Sequence, residues 1–235
     1  MMIAVLKKEL SLYLHTTLGV IFVSIFMIFA SYYFLFYNIL SNSSDLGMLF
    51  QTMLMTLVFL VPVLTMRLLS EEKKTKSDQI LLTSPVSVTS IIIGKYLSAV
   101  IVFLISVFMS LIFAYIVFVN GNPEPGVIFT VYIGFIIIGA VFIAIGLFIS
   151  ALTESQVIAA IFTFGILLFI QIADSLRGSI SNQAVVNFLK WSSLTERYKS
   201  FCMGILDISD ILYLISIAVL FVFLTIRVIE KRRWS

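Results

Sequence analysis

Six long apolar stretches, none carrying a charged side chain over its central turns, constrain this 235-residue chain more than any other feature. About 20 apolar residues are needed for a helix to cross the ~30 Å hydrocarbon core of a bilayer. The stretches read 16–40, 46–69, 91–119, 127–150, 155–174 and 211–229. The last is held to one short apolar run, with Arg227 able to snorkel so that Val228 and Ile229 extend it. The runs are continuous rather than alternating, which excludes a membrane β-barrel. Charged residues make up 11% of the chain, against about 25% in soluble domains. Such a surface cannot face water, so the expectation is an all-α polytopic membrane protein with six transmembrane helices in a single domain spanning 1–235.

The distribution of Lys and Arg sets the orientation. Lys7 and Lys8 precede the first span. Arg67, Lys73, Lys74, Lys76 and Lys95 lie between or beside the second and third, and Arg227, Lys231, Arg232 and Arg233 follow the sixth. These eleven of fifteen basic residues fall on one side, while the first and third connections have none. An even number of spans then predicts both termini in the cytoplasm of a bacterial inner (cytoplasmic) membrane. The first apolar run is longer than a signal peptide's 7–15-residue core and reads as a retained anchor. Basic residues confined to membrane edges do not suit nucleic-acid binding. With His15 and Cys202 as the sole histidine and cysteine, a His/Cys metal site does not fit.

Three segments lie outside the spans. Residues 1–15 form an amphipathic interfacial helix: Ile3, Leu6, Leu10 and Leu14 follow helical spacing, with Lys7, Lys8 and Glu9 together on the other side. The cytoplasmic loop 70–90 opens on a charge run. Ile80, Leu81 and Leu82 then make an apolar patch that Pro85 terminates, a pattern suited to docking a soluble partner. The connection 175–210 carries short helices on the outer surface, with Leu194, Tyr198, Phe201 and Cys202 on one face and Asp207 to Asp210 as caps for the last span. Within the fourth span, Gly139 and Gly146 share a face, and the pairs Ala140/Ala144 and Gly146/Ser150 allow close helix approach.

Catalytic machinery is absent from the sequence. Gly94-Lys95-Tyr96 lacks the upstream glycine and the following Ser/Thr of a phosphate-binding loop, so ATP is not bound that way, and no GxSxG, HExxH or CxxC occurs. No charge sits deep in a span, as ion-coupled carriers commonly require. A non-catalytic chain driven by another subunit is the expectation, with a membrane anchor or mechanical coupler without transport as the alternative.

The segment RLLSEEKKTKSDQILLTSPVSVTSIIIGKYLSA resembles the cytoplasmic loop of ABC-2 type transporter permeases through Arg67, Glu72, Leu81, Leu82, Ser84, Pro85, Gly94 and Lys95. Lys76 and Ser77 stand where that family commonly has Gly-Thr. The C-terminal stretch FCMGILDISDILYLISIAVLFVFLTIRVIEKRRW is similar to the gliding-motility-associated subgroup. The resemblance implies a permease subunit of an ABC exporter, working as a homo- or heterodimer of permease chains among membrane lipids. Two cytosolic ATPase subunits would bind ATP and Mg, this chain binding no cofactor itself. It further implies that Glu71, Glu72, Ser77, Gln79, Ile80, Leu81, Leu82, Ser84 and Pro85 form the ATPase-coupling element. Residues 1–15 would be the connecting helix, spans one, two and five would line a cavity between protomers, and Pro62 would kink the second span.

Overall fold

The computed structural model describes residues 2–75, 87–175 and 193–233. Among them it contains helices and no strand: α1 (Met2–His15), α2 (Thr17–Phe34), continued by a π-helical turn Leu35–Ile39, α3 (Gly47–Thr65), α4 (Arg67–Lys74), α5 (Val88–Asn120), α6 (Pro125–Leu152), α7 (Gln156–Ser175), α8 (Leu194–Cys202) and α9 (Ile208–Arg233). Six helical stretches are long and apolar enough to cross a membrane: Thr17–Ile39, Gly47–Lys74, Val88–Asn120, Pro125–Leu152, Gln156–Ala173 and Ile208–Lys231. The helix ends follow local chemistry. The Ser87 hydroxyl accepts from the Ser90 N–H to start α5, and Pro125 occupies the first turn of α6. Asp207 accepts from the Ser209 N–H at the start of α9.

Helix α6 is the hub. It packs against α3, α5, α7, α8 and α9, and 72% of its most apolar window is buried within the chain, against 17% for α7 and for α9. Missing side-chain bulk on α6 allows this. A Cβ on Gly139 would lie 2.3 Å from the Phe103 ring of α5. On Gly146 it would lie 2.3 Å from Thr65 Oγ1 of α3, and on Gly134 2.6 Å from the Phe201 side chain of α8. Phe26, Phe50, Phe103 and Phe135 fill the centre, with Phe135 6.1 Å from Phe26, 4.9 Å from Phe50 and 5.7 Å from Phe103 between ring centroids. These are tilted or edge-on contacts, each adding ~0.5–1.5 kcal/mol beyond area burial.

Pro62 is buried inside α3 and withholds the N–H that would bond Val58. The interruption of the second span falls one turn later, at Met66, which keeps helical dihedrals (φ −55°, ψ −32°) between α3 and α4. Helix therefore continues to Lys74, and Glu71 and Glu72, expected in the loop 70–90, stand on a rod continuous with the second span.

Substituting Gly146→Val should force Thr65 aside and cost about 1–3 kcal/mol by overpacking. Gly165 has open space around its Cα, so Gly165→Ala should be neutral or slightly stabilising. Thermal unfolding of the two variants in detergent, compared with the parent chain, checks this contrast.

Candidate functional site

The charged end of the bundle gathers three elements on one buried cation. Lys95, in the second turn of α5, is only 2% exposed. Its Nζ lies 2.9 Å from Glu9 Oε1 of α1 and 2.8 Å from Glu72 Oε1 of α4. The side chains come together because α1 crosses α5 at Gly94: a Cβ there would sit 3.2 Å from Val5 and 3.3 Å from the Met2 carbonyl oxygen. One helical turn beyond Glu9, the buried Tyr13 hydroxyl donates to the Leu64 carbonyl at 2.7 Å, tying α1 to the end of α3. Burial pushes the Tyr13 phenol well above its ordinary range, with the nearby Glu9 carboxylate adding to the effect, so it remains a neutral donor.

Helix α4 is held from a second side by Ser150. Its Oγ accepts from the N–H groups of Leu69 and Ser70, both at 3.1 Å, and donates to the Met66 carbonyl at 3.2 Å. The Ser70 hydroxyl donates to the same carbonyl. A side chain of α6 thus clasps the joint between α3 and α4 by inserting into its backbone hydrogen-bond ladder. Arg67 and Glu71, at i and i+4, form a two-point ion pair (2.5 and 3.0 Å) on the half-exposed side of α4. Lys73 reaches Glu154, just beyond α6, at 3.5 Å.

The two adjacent glutamates therefore do different things. Glu71 faces outward and pairs within its own helix, whereas Glu72 turns inward to Lys95. Ser77, Gln79, Ile80, Leu81, Leu82, Ser84 and Pro85 lie outside the described residues. Pro62 is a full turn of helix short of the joint. Glu9, placed with Lys7 and Lys8 on a solvent face by the sequence pattern, is instead buried, while Ile3 and Leu14 from the apolar stripe are more than half exposed. The inward face of α1 runs through Val5, Glu9 and Tyr13. Sequence reasoning also missed Ser150 as a clasp. The available signals were a lysine beside glycine at the start of an apolar helix and a serine one turn beyond Gly146.

At the opposite end, α8 is packed into the bundle. Leu194, Tyr198 and Phe201 are buried, Thr130 of α6 donates to the Phe201 carbonyl at 2.9 Å, and Arg197 pairs with Asp210 at 2.6 Å while lying 3.9 Å over the Tyr213 ring of α9. Burial pushes the Cys202 thiol up to about 11, against a smaller opposing pull from the Tyr198 hydroxyl and with a further rise from the Asp45 carboxylate.

Among the described residues no grouping of His, Cys, Asp and Glu suits a metal ion. The Lys95 trio holds no nucleophile paired with a base. What it can do is fix the relative position of α1, α4 and α5, because separating any of them leaves charge buried and unpaired.

Lys95→Met should destabilise the chain by about 3–5 kcal/mol, since two buried carboxylates lose their cation. Adding Glu9→Gln and Glu72→Gln should restore most of the loss, a coupling readable from unfolding in detergent across the full mutant cycle. Cys202, protonated until pH approaches about 11, should react slowly with N-ethylmaleimide at pH 7–9 and promptly once the chain is denatured. Prompt reaction in the folded protein would contradict a thiol held up by desolvation.

The profile of the family described as "ABC-2 family transporter protein" matches residues 3–232, all but the ends of the chain. No curated protein matches it by sequence. The match takes in all six spans, the Lys95 trio and the joint at Met66, and on that extent the chain belongs to the ABC-2 transporter family, as a membrane subunit of an ABC transporter.

Proposed function

We propose that this chain is the permease subunit of an ABC exporter, that two permease chains form its pathway, and that separate cytosolic ATPase subunits, which bind ATP and Mg, drive it. The observation that supports this reading best is the burial of Glu72 against Lys95 on α4. Helix α4 carries the first residues of the expected coupling loop 70–90. Any displacement of that segment by an ATPase passes into a helix that is clasped by Ser150 and ionically tied to α1 and α5. Force applied at the loop would then move a rigid group of elements, as coupling between distant sites requires.

In this reading, residues 70–90 with Glu71, Glu72, Ser77, Gln79, Ile80, Leu81, Leu82, Ser84 and Pro85 constitute the coupling element. Residues 1–15 are the connecting helix, and 175–210 face the outside. Both termini lie in the cytoplasm of a bacterial inner membrane, and the chain falls in the gliding-motility-associated subgroup. The face available to a second permease chain is made by α2, α3 and α7. Ile28 and Tyr32 on α2, Phe59 on α3, and Phe162 and Phe169 on α7 are all more than half exposed there, and Phe59 meets Phe164 at 5.0 Å between ring centroids.

Co-purification with a cytosolic ABC ATPase co-expressed with this chain tests the assignment. The parent protein should retain the ATPase in mild detergent, and the double variant Glu72→Ala/Leu81→Asp should lose about tenfold or more of it while keeping its helical content. Undiminished retention by the variant would refute the coupling role of this loop.

A further inference from the structure

A groove of about 550 Å³ runs between α5, α6 and α9. We infer that it seats one acyl chain of an anionic phospholipid, with the phosphate at Arg227. The volume falls within the ~300–1,000 Å³ of small-molecule sites. Its walls include Ile93 and Tyr96 of α5, Ala140 of α6, and Ala218, Phe223 and Ile226 of α9. The space exists because alanines face it where neighbouring positions carry larger side chains. The one polar group among the six, the Tyr96 hydroxyl, donates to the Ala140 carbonyl at 3.1 Å and so does not ask the ligand for a partner. Along α9 the lining extends from Ile215 to Ile226. That is about 16 Å of helix, close to half the ~30 Å hydrocarbon core. A groove of one leaflet's depth fits a single lipid chain and is too short for a spanning helix.

Charge supplies the second half of the inference. The Arg227 guanidinium lies 4.9 Å over the ring of Phe223, itself a wall residue. This places the cation beside the end of the groove nearest the C-terminus of α9. Arg227 Nη1 donates to Glu230 at 3.1 Å, and its side chain is 64% exposed, leaving guanidinium donors free for a phosphate oxygen. Lys231, Arg232 and Arg233 follow within two turns. Basic clusters just beyond a transmembrane helix attract anionic headgroups by about 1 kcal/mol per residue near the surface. The proposal rests on α9 crossing the membrane, not on which side its end lies, and so stands apart from the coupling assignment above.

The test is native mass spectrometry of the full-length chain released from nanodiscs of equal phosphatidylglycerol and phosphatidylcholine. The parent should retain one lipid per chain, phosphatidylglycerol favoured about fivefold. Arg227→Gln should reduce that preference at least about twofold while lipid is still retained. Filling the groove by Ala218→Trp should abolish retention of both lipids. Should that variant fail to fold, Ala140→Phe fills the same space from the opposite wall and must give the same loss. Equal retention of the two lipids by the parent, or unchanged retention by a folded, filled variant, would overturn the proposal. So would efficient disulfide dimerisation through Val219→Cys in a Cys202→Ser background, which would put a second copy in the groove.

Discussion

Everything in this bundle depends on how closely neighbours can approach α6. In a membrane the hydrophobic effect does not drive helices together, because lipid chains are as apolar as leucine. Association comes instead from van der Waals contact and interhelical hydrogen bonds, and both need short distances. Gly134, Gly139 and Gly146 provide them by leaving room for Phe201, Phe103 and Thr65. Ser150, one turn past Gly146, uses the same proximity to make three hydrogen bonds, two to the backbone of α4 and one to the Met66 carbonyl at the joint. The peripheral position of α7 and α9 is the complement of this arrangement. They have little of the chain around them and present their apolar faces to lipid or to another subunit.

The Lys95 trio works by a different principle. Two carboxylates and one ammonium taken out of water give little net stability, since desolvation offsets much of their attraction. Their consequence is positional. Helix α1 is fixed at two points, on α5 where Glu9 meets Lys95 and on the end of α3 where Tyr13 meets Leu64. The same lysine takes Glu72, so the helix entering the proposed coupling loop and the amino-terminal helix share a single anchor. In the proposed function, that shared anchor makes the loop a mechanical input rather than a tether.

The groove beside α9 shows how the same chain treats its lipid-facing side. Small residues on α6 meet other helices on one face and open a space on another, depending on what lies opposite. Ala140 faces the groove, whereas the adjacent Gly139 is filled by Phe103. A membrane protein's outer surface is solvated by lipid, and a concavity there is filled by whatever chain the bilayer supplies.

The six membrane helices were legible in the sequence because hydropathy and length alone decide whether a segment can span a bilayer, with backbone groups satisfied inside each helix. The close-packing role of Gly139 and Gly146 was legible too, from their shared face. What the sequence could not decide was which polar residues near the membrane edge turn inward. Glu9 shares its neighbourhood with Lys7 and Lys8, and local periodicity assigned it to water. Only the crossing of α1 over Gly94 brings it to Lys95. Likewise Pro62 was the visible irregularity in the second span, but the joint lies at Met66, where a serine 84 residues distant supplies the hydrogen bonds. Span formation is a property of a contiguous segment and could be read from the sequence alone. The pairing of buried polar groups is a property of contacts far apart in sequence, and the tertiary structure alone decided it.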